Sequence, residues 1–188
     1  MRQEASDAEL MARMGRGDPE ALGELVNRHK DAMVNYLTRL TGSRDRGEDV
    51  AQEAFLRLFQ AAPGYREQGR LAPYLFRIAT NLVRSAERRE RRFRIVQGFL
   101  SSNGRAQAPA AQLSLLREEE RRLLARALAE LPLRYRVPLV LAAVEGWSYQ
   151  EIATFLGCRE GTVKSRVSRG RERLRARLGP YRNGGAAS

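Results

Sequence analysis

The 188-residue chain contains one cysteine, Cys158, and one histidine, His29. No internal disulfide can form, and no zinc site of the usual Cys/His kind can be assembled within one chain; only carboxylate-only metal sites stay formally open. His29 has no second histidine or nucleophile beside it, so it reads as a partly buried structural residue rather than a catalytic one. A phosphate-binding glycine loop is also missing, which leaves an enzyme acting on nucleic acid without its catalytic constellation. The expectation is a chain with no catalytic residues, no metal and no cofactor. The N-terminus shows no apolar signal-peptide core, and no run of about 18 apolar residues occurs. A soluble, cytoplasmic protein with no direct membrane contact is therefore expected. Strand-like alternation is absent as well, and almost everything reads as helix.

What the chain has in excess is positive charge, unevenly placed. Its 34 basic and 22 acidic residues leave a net charge of +12, yet Met1 to Ala62 hold nine basic and eleven acidic residues, and the remainder carries +14. A basic two-thirds behind a slightly acidic third suggests that nucleic acid meets the later part and a different partner the first.

The most specific segment is Trp147 to Arg177, WSYQEIATFLGCREGTVKSRVSRGRERLRAR. Ser148 and Glu151 form a capping box that starts a short helix with Ile152, Ala153, Phe155 and Leu156 on its buried side. Gly157 is the left-handed residue after it, and Cys158 is small enough to pack beneath the turn. A second helix begins near Glu160, with Val163, Val167, Gly170, Leu174 and Leu178 facing inward. Gly170 permits close helix approach. Ser165, Ser168, Arg169 and Glu172 fall on the opposite side, flanked by Lys164, Arg166 and Arg173. Two helices and a tight turn with a basic outer face form a helix-turn-helix suited to a DNA major groove, although Arg159 stands where a Ser or Thr cap is better.

Upstream, Asp18 and Pro19 start a helix whose stripe runs from Leu22 through His29 to Leu40 and stops near Gly42. A second spans about Asp45 to Ala61, with Val50, Ala54, Phe55, Leu58 and Phe59 inside and Glu48, Asp49, Gln52, Glu53 and Arg57 outside. A third runs from about Leu71 to Arg92. Periodicity then lapses from Gln97 to Gln112, among small residues, Gly and Pro. Leu123, Leu124, Leu128 and Leu131, then Val137, Leu139, Val140, Leu141 and Val144, supply two helices to support the helix-turn-helix. The expected fold is all-α: a helical domain over 1–95, a flexible linker over 96–112, a helix-turn-helix domain over 113–180 and a disordered tail over 181–188.

Three stretches resemble the bacterial RNA polymerase sigma factors, specifically the compact extracytoplasmic-function (ECF) group. EDVAQEAFLRLFQA (Glu48 to Ala61) and YLFRIATNLVRSAERR (Tyr74 to Arg89) resemble conserved region two. LAELPLRYRVPLVLAAVEGWSYQEIATFLGCREGTVKSRVSRGRERLR (Leu128 to Arg175) resembles region four. The linker is too short for the middle domain of housekeeping sigma factors.

The resemblance implies a transcription initiation factor that directs core RNA polymerase to promoter DNA. On that basis Asp49, Gln52 and Glu53 dock on the polymerase clamp. Tyr65, Tyr74, Arg77, Asn81, Arg84 and Arg88 hold the minus-ten element as a melted strand, with the tyrosines stacking on extruded bases. Thr162, Lys164, Ser165, Arg166, Arg169 and Arg173 contact the minus-thirty-five element as duplex, arginine being able to read guanine bidentately. Tyr74 departs from the Trp common in the family, and its ring suits either DNA or core. An anti-sigma partner is implied by the resemblance alone. The rival reading, a stand-alone helix-turn-helix regulator, explains only the C-terminal half.

Overall fold

The computed structural model describes residues 5–66, 70–97 and 123–183, with 94–97 and 180–183 as backbone only. Its elements are α1 (Asp7–Gly15), α2 (Pro19–Thr41), α3 (Arg44–Ala61), a short 3-10 turn (Ala62–Gly64), α4 (Leu71–Gln97), α5 (residues 123–129), α6 (Leu133–Ala143), α7 (Tyr149–Leu156) and α8 (Glu160–Asn183). The described residues contain no strand.

Helix α1 is absent from the periodicity reading, although Ser6 and Glu9 make a reciprocal capping box at its start. Its buried side is only Leu10, Met11 and Met14, too short a stripe to stand out. The helix closes one side of the N-terminal unit, where Asp7 accepts a hydrogen bond from Arg28 (2.5 Å) and engages His29 Nε2 (2.9 Å). The lone histidine is thus half-buried and tied to a neighbouring helix.

Helix α2 starts as the sequence dictates, with Asp18 accepting from the Glu20 amide and Pro19 in the first turn. It ends at Gly42, whose φ of 75° is the left-handed conformation that glycine adopts without strain. Leu25, Met33, Tyr36, Leu37 and Leu40 are fully buried against Ala54 and Leu58 of α3 and Leu75 and Ala79 of α4. The Tyr36 hydroxyl meets Thr80 Oγ1 at 2.7 Å, and Thr80 donates to the Phe76 carbonyl, so the core's polar atoms are satisfied. Burial pushes the Tyr36 phenol well above its usual range.

In the C-terminal unit, Leu131, Leu141, Ile152, Val163 and Val167 are buried to 1% exposure or less. Gly170 sits where α8 crosses α6, with the ideal Cβ position only 3.4 Å from the Tyr135 carbonyl and a Leu139 methyl. The close approach read from the sequence is therefore present.

The two units are not held apart. Their apolar residues form one continuous cluster, and α2 packs on α6. Arg136, only 5% exposed, donates from α6 to the Leu40 carbonyl at the end of α2 and to the Ala129 and Leu131 carbonyls, and pairs with Glu87 of α4 at 3.1 Å. Gly42 lies against Ala129, whose Cβ is 2.6 Å from where a Cβ on residue 42 would stand. The two helical domains of the expected fold are thus in contact with each other. Residues 98–112 of the expected linker lie outside the described residues, while 96 and 97 still belong to α4. Of the expected tail, 181–183 continue α8 and 184–188 lie outside the described residues. Leu124 and Val144, expected inside, are exposed at 41% and 43%. Each stands at the margin of a short helix where no neighbour covers it among the described residues.

Gly47 marks where α3 crosses α2, since a Cβ there would come within 2.9 Å of the Thr38 amide nitrogen and hydroxyl. Helix propensity alone makes Gly47→Ala stabilising by about 1 kcal/mol. The backbone contact reverses the sign: we expect a net loss of about 1 to 3 kcal/mol in urea unfolding.

Candidate nucleic-acid and polymerase interface

Helix α3 presents Asp49, Gln52, Glu53 and Leu56 at helical spacing on one exposed stripe. Glu53 holds Arg57 at 2.7 Å, one turn on, an exposed pair that contributes little to stability. Leu56, 47% exposed, is a large apolar side chain continuing the polar stripe, and the sequence reading passed over it. Its signal was available, since it falls three residues after Glu53 on the face opposite Phe55 and Leu58.

Helix α4 places Arg77, Asn81, Arg84 and Arg88 at intervals of four, three and four, so all four lie on one exposed face. Arg84 donates to Asn81 Oδ1 at 3.2 Å, and Arg88 donates to the Arg84 carbonyl at 3.3 Å. At the start of the helix the Tyr65 and Tyr74 rings approach to 5.2 Å at a 48° tilt. They line a cavity of about 380 Å³ together with Arg66, Arg70 and Arg77. Aromatic faces surrounded by guanidinium groups suit a nucleobase with its phosphate. Tyr74 is half-buried against the core and also lines this cavity. Arg66 and Arg70 were missed because helical periodicity does not reach into a loop. Residues 67–69 of that loop lie outside the described residues.

The helix-turn-helix has the predicted geometry. Ser148 caps α7, with the Glu151 side chain returning to the Ser148 amide at 2.9 Å. Gly157 has φ 63°, and the Cys158 amide donates to the Ala153 carbonyl at 3.0 Å. Cys158 is partly buried against the core. On α8, Lys164, Ser165, Arg169 and Arg173 are exposed, while Thr162 and Arg166 are half-buried. Several are already engaged: Lys164 pairs with Glu160 at 2.9 Å, Arg166 points its guanidinium at the Cys158 sulfur, and Arg173 lies 5.1 Å over the Tyr135 ring. Hydrogen bonding from Arg134, with further contributions from Arg169 and Arg173, pulls the Tyr135 phenol below its usual range. Arg169 and Arg173 thus lean on Tyr135 of α6, while Lys164 and Ser165 stand exposed.

Among the described residues no cluster of His, Cys, Asp and Glu could hold a metal ion, and no helix is long and apolar enough to cross a membrane. Residues 25–93 match the family model for Sigma-70 region 2, and residues 121–174 the model for Sigma-70, region 4. The ECF RNA polymerase sigma-E factor of Escherichia coli K12 is 30% identical over 188 residues, covering 96% of this chain and 98% of that one. The ECF RNA polymerase sigma factor SigE of Mycolicibacterium smegmatis is 35% identical over 170 residues, covering 88% of this chain, which spans 65% of that relative's length. Among solved structures, the sigma factor RpoE of Bartonella quintana, in complex with the anti-sigma factor NepR, superposes with a TM-score of 0.67 at 26% identity, covering 85% of this chain and 98% of that one.

Helical surfaces of this kind, joined to a helix-turn-helix, define a promoter-recognising subunit of bacterial transcription. The chain belongs to the ECF group of RNA polymerase sigma factors, which are initiation factors rather than enzymes.

Hydrogen bonds from the Ser148 backbone and hydroxyl hold the Glu151 carboxyl below its usual value of 4.5. A group depressed on folding contributes stability that is present above its unfolded pKa and lost as pH falls through the lower folded value. We expect the Ser148 amide to lose hydrogen-exchange protection as pH drops below about 4.5, and Glu151→Gln, which cannot titrate, to flatten that dependence.

Proposed function

We propose that the α3 stripe of Asp49, Gln52 and Glu53, extended by Leu56, docks on core RNA polymerase. The tyrosine cavity and the face of Arg77, Asn81, Arg84 and Arg88 hold the minus-ten element as a melted strand. Helix α8 contacts the minus-thirty-five element as duplex through Thr162, Lys164, Ser165, Arg166, Arg169 and Arg173. The carrying observation is the cavity of about 380 Å³ that sets Tyr65 and Tyr74 among Arg66, Arg70 and Arg77. Extruding a base costs a few kcal/mol, and stacking on a protein ring returns about 1 to 3 kcal/mol per base. Binding energy opens the DNA, and the chain performs no bond chemistry of its own.

The chain acts in the cytoplasm, where polymerase and promoter are, with 1–95 and 113–180 as its working domains on either side of a linker over 96–112. An anti-sigma protein is its regulator, by analogy with the Bartonella factor solved with NepR. The match of both halves of the chain to sigma region models supports the sigma reading over that rival, which explains only the C-terminal half.

Reversing Asp49 and Glu53 to Lys should weaken association with core polymerase at least tenfold while leaving the far-ultraviolet helical signal unchanged, since like charge at a complementary surface costs more than about 1.4 kcal/mol. Unaltered association refutes the docking assignment. On α8, Arg169→Ala should cost about 1 to 3 kcal/mol of promoter binding and relax one upstream base preference. Equal weakening on every sequence would identify a phosphate contact instead.

A further inference from the structure

We infer that Arg134 and Tyr135 of α6, together with Arg173 of α8, form a binding site for one backbone phosphate of duplex DNA, beside the helix-turn-helix and outside it. The inference rests on the assignment of α8 to the minus-thirty-five duplex, and it sorts Arg173 to the phosphates rather than to the bases.

The site is built around one ring. Tyr135 is only 7% exposed, and its backbone is fixed where α8 crosses α6, the carbonyl lying 3.4 Å from where a Cβ on Gly170 would stand. The Arg134 guanidinium lies 4.8 Å from the centroid of that ring and the Arg173 guanidinium 5.1 Å from it. Two cations from different helices are thus steered to one place by a single π system. The phenol oxygen accepts a hydrogen bond from Arg134 and another from Arg169, one turn before Arg173. A hydroxyl can accept and donate at once, so the phenol O–H is left to donate.

Charge decides what the site takes. Elsewhere on α8, Lys164 and Arg177 are neutralised by Glu160 at 2.9 Å and Glu130 at 3.0 Å, whereas Arg134, Arg169 and Arg173 have no carboxylate partner among the described residues. Guanidinium groups gathered round one hydroxyl repel one another, and an anion seated among them relieves that repulsion. The two free oxygens of a phosphodiester can accept from the Arg134 and Arg173 forks and from the phenol O–H together.

Position along α8 makes that anion part of a DNA backbone. A recognition helix reads base edges with its N-terminal residues. Arg173 stands thirteen residues after Glu160, the first of α8. At 1.5 Å per residue that is about 20 Å, against a major groove about 12 Å wide. With Thr162 and Ser165 over the bases, Arg173 reaches the wall of the groove, where the phosphates are. Arg134 continues the cationic line from α8 onto α6, so the DNA surface of this unit extends past the helix-turn-helix.

The test uses the full chain assembled with core polymerase and a pool of promoter duplexes randomised across the upstream element. Affinity is measured against salt, and the retained sequences are read. Arg134→Ala and Arg173→Ala remove one cation each, while Tyr135→Phe removes the phenol donor and keeps the ring. Arg126→Ala, at an exposed position of α5, is the control for lost charge. Arg169→Ala reports on the α8 assignment itself.

We expect Arg134→Ala and Arg173→Ala each to weaken binding about tenfold at about 0.1 M salt, equally on every sequence, and to make the slope of log affinity against log salt shallower by about 1. Tyr135→Phe should weaken binding on every sequence with the slope unchanged, because it removes a donor but no charge. Arg126→Ala should change neither quantity. If Arg134→Ala and Tyr135→Phe behave like Arg126→Ala while Arg169→Ala still weakens binding, the phosphate site is overturned and the α8 assignment stands. If Arg169→Ala is also without effect, the α8 assignment falls with it. An altered base preference in Arg173→Ala overturns its sorting to the phosphates, and a loss of core polymerase association in Arg134→Ala overturns the site in favour of a protein contact.

Discussion

The arrangement of the whole molecule depends on one buried cation. All three side-chain nitrogens of Arg136 are used: two on the Leu131 carbonyl, with Ala129, Leu40 and Glu87 taking the remaining directions. The Leu40 and Ala129 carbonyls lie in the last turns of α2 and α5 and that of Leu131 just past α5, where a helix end has no amide partners left of its own. A guanidinium with five donors in a rigid fork can satisfy several such ends at once, and it stays charged where a lysine would be driven to lose its proton. Burial alone would disfavour the ion by several kcal/mol, so removing any of its acceptors leaves that penalty uncompensated. The C-terminus of α2, the connection from α5 to α6 and the flank of α4 are consequently held in one geometry.

Around that anchor the chain distributes its charge by task. The acidic excess sits toward the front, and α3 turns an acidic and apolar stripe outward. The cationic excess is concentrated on α4 and α8, where side chains lean on rings and carboxylates that fix their direction. Arg77 over Phe155 and Arg173 over Tyr135 are examples of guanidinium groups held in place by aromatic faces. A guanidinium held in this way has less side-chain freedom left to lose on binding an anion.

Much of the fold could be read directly. The boundaries of α2, α7 and the start of α8 follow from Asp18, Pro19, Gly42, Ser148, Glu151 and Gly157, whose effects act within one helical turn. The α3 and α4 faces were legible because periodicity alone places Asp49, Gln52 and Glu53, or Arg77, Asn81, Arg84 and Arg88, on a common side. Helix α1 was overlooked despite its capping box, since nine residues carry too little periodicity to be noticed. Arg66 and Arg70 escaped for a different reason: in a loop, spacing along the chain says nothing about direction in space.

By itself the sequence determined the helices, their caps, their buried sides and the chemistry each exposed side offers, because these depend on contacts no more than four residues apart. It also carried the family through continuous motifs. Only the tertiary structure decided that Arg136 lies buried between the units, that Gly42 must admit Ala129, and that Trp147 reaches Phe76. Those pairings join residues 96, 87 and 71 positions apart, read from Leu40 to Arg136, Gly42 to Ala129 and Phe76 to Trp147. No local rule of spacing or propensity specifies them; they emerge when apolar faces from distant helices compete for the same shelter from water.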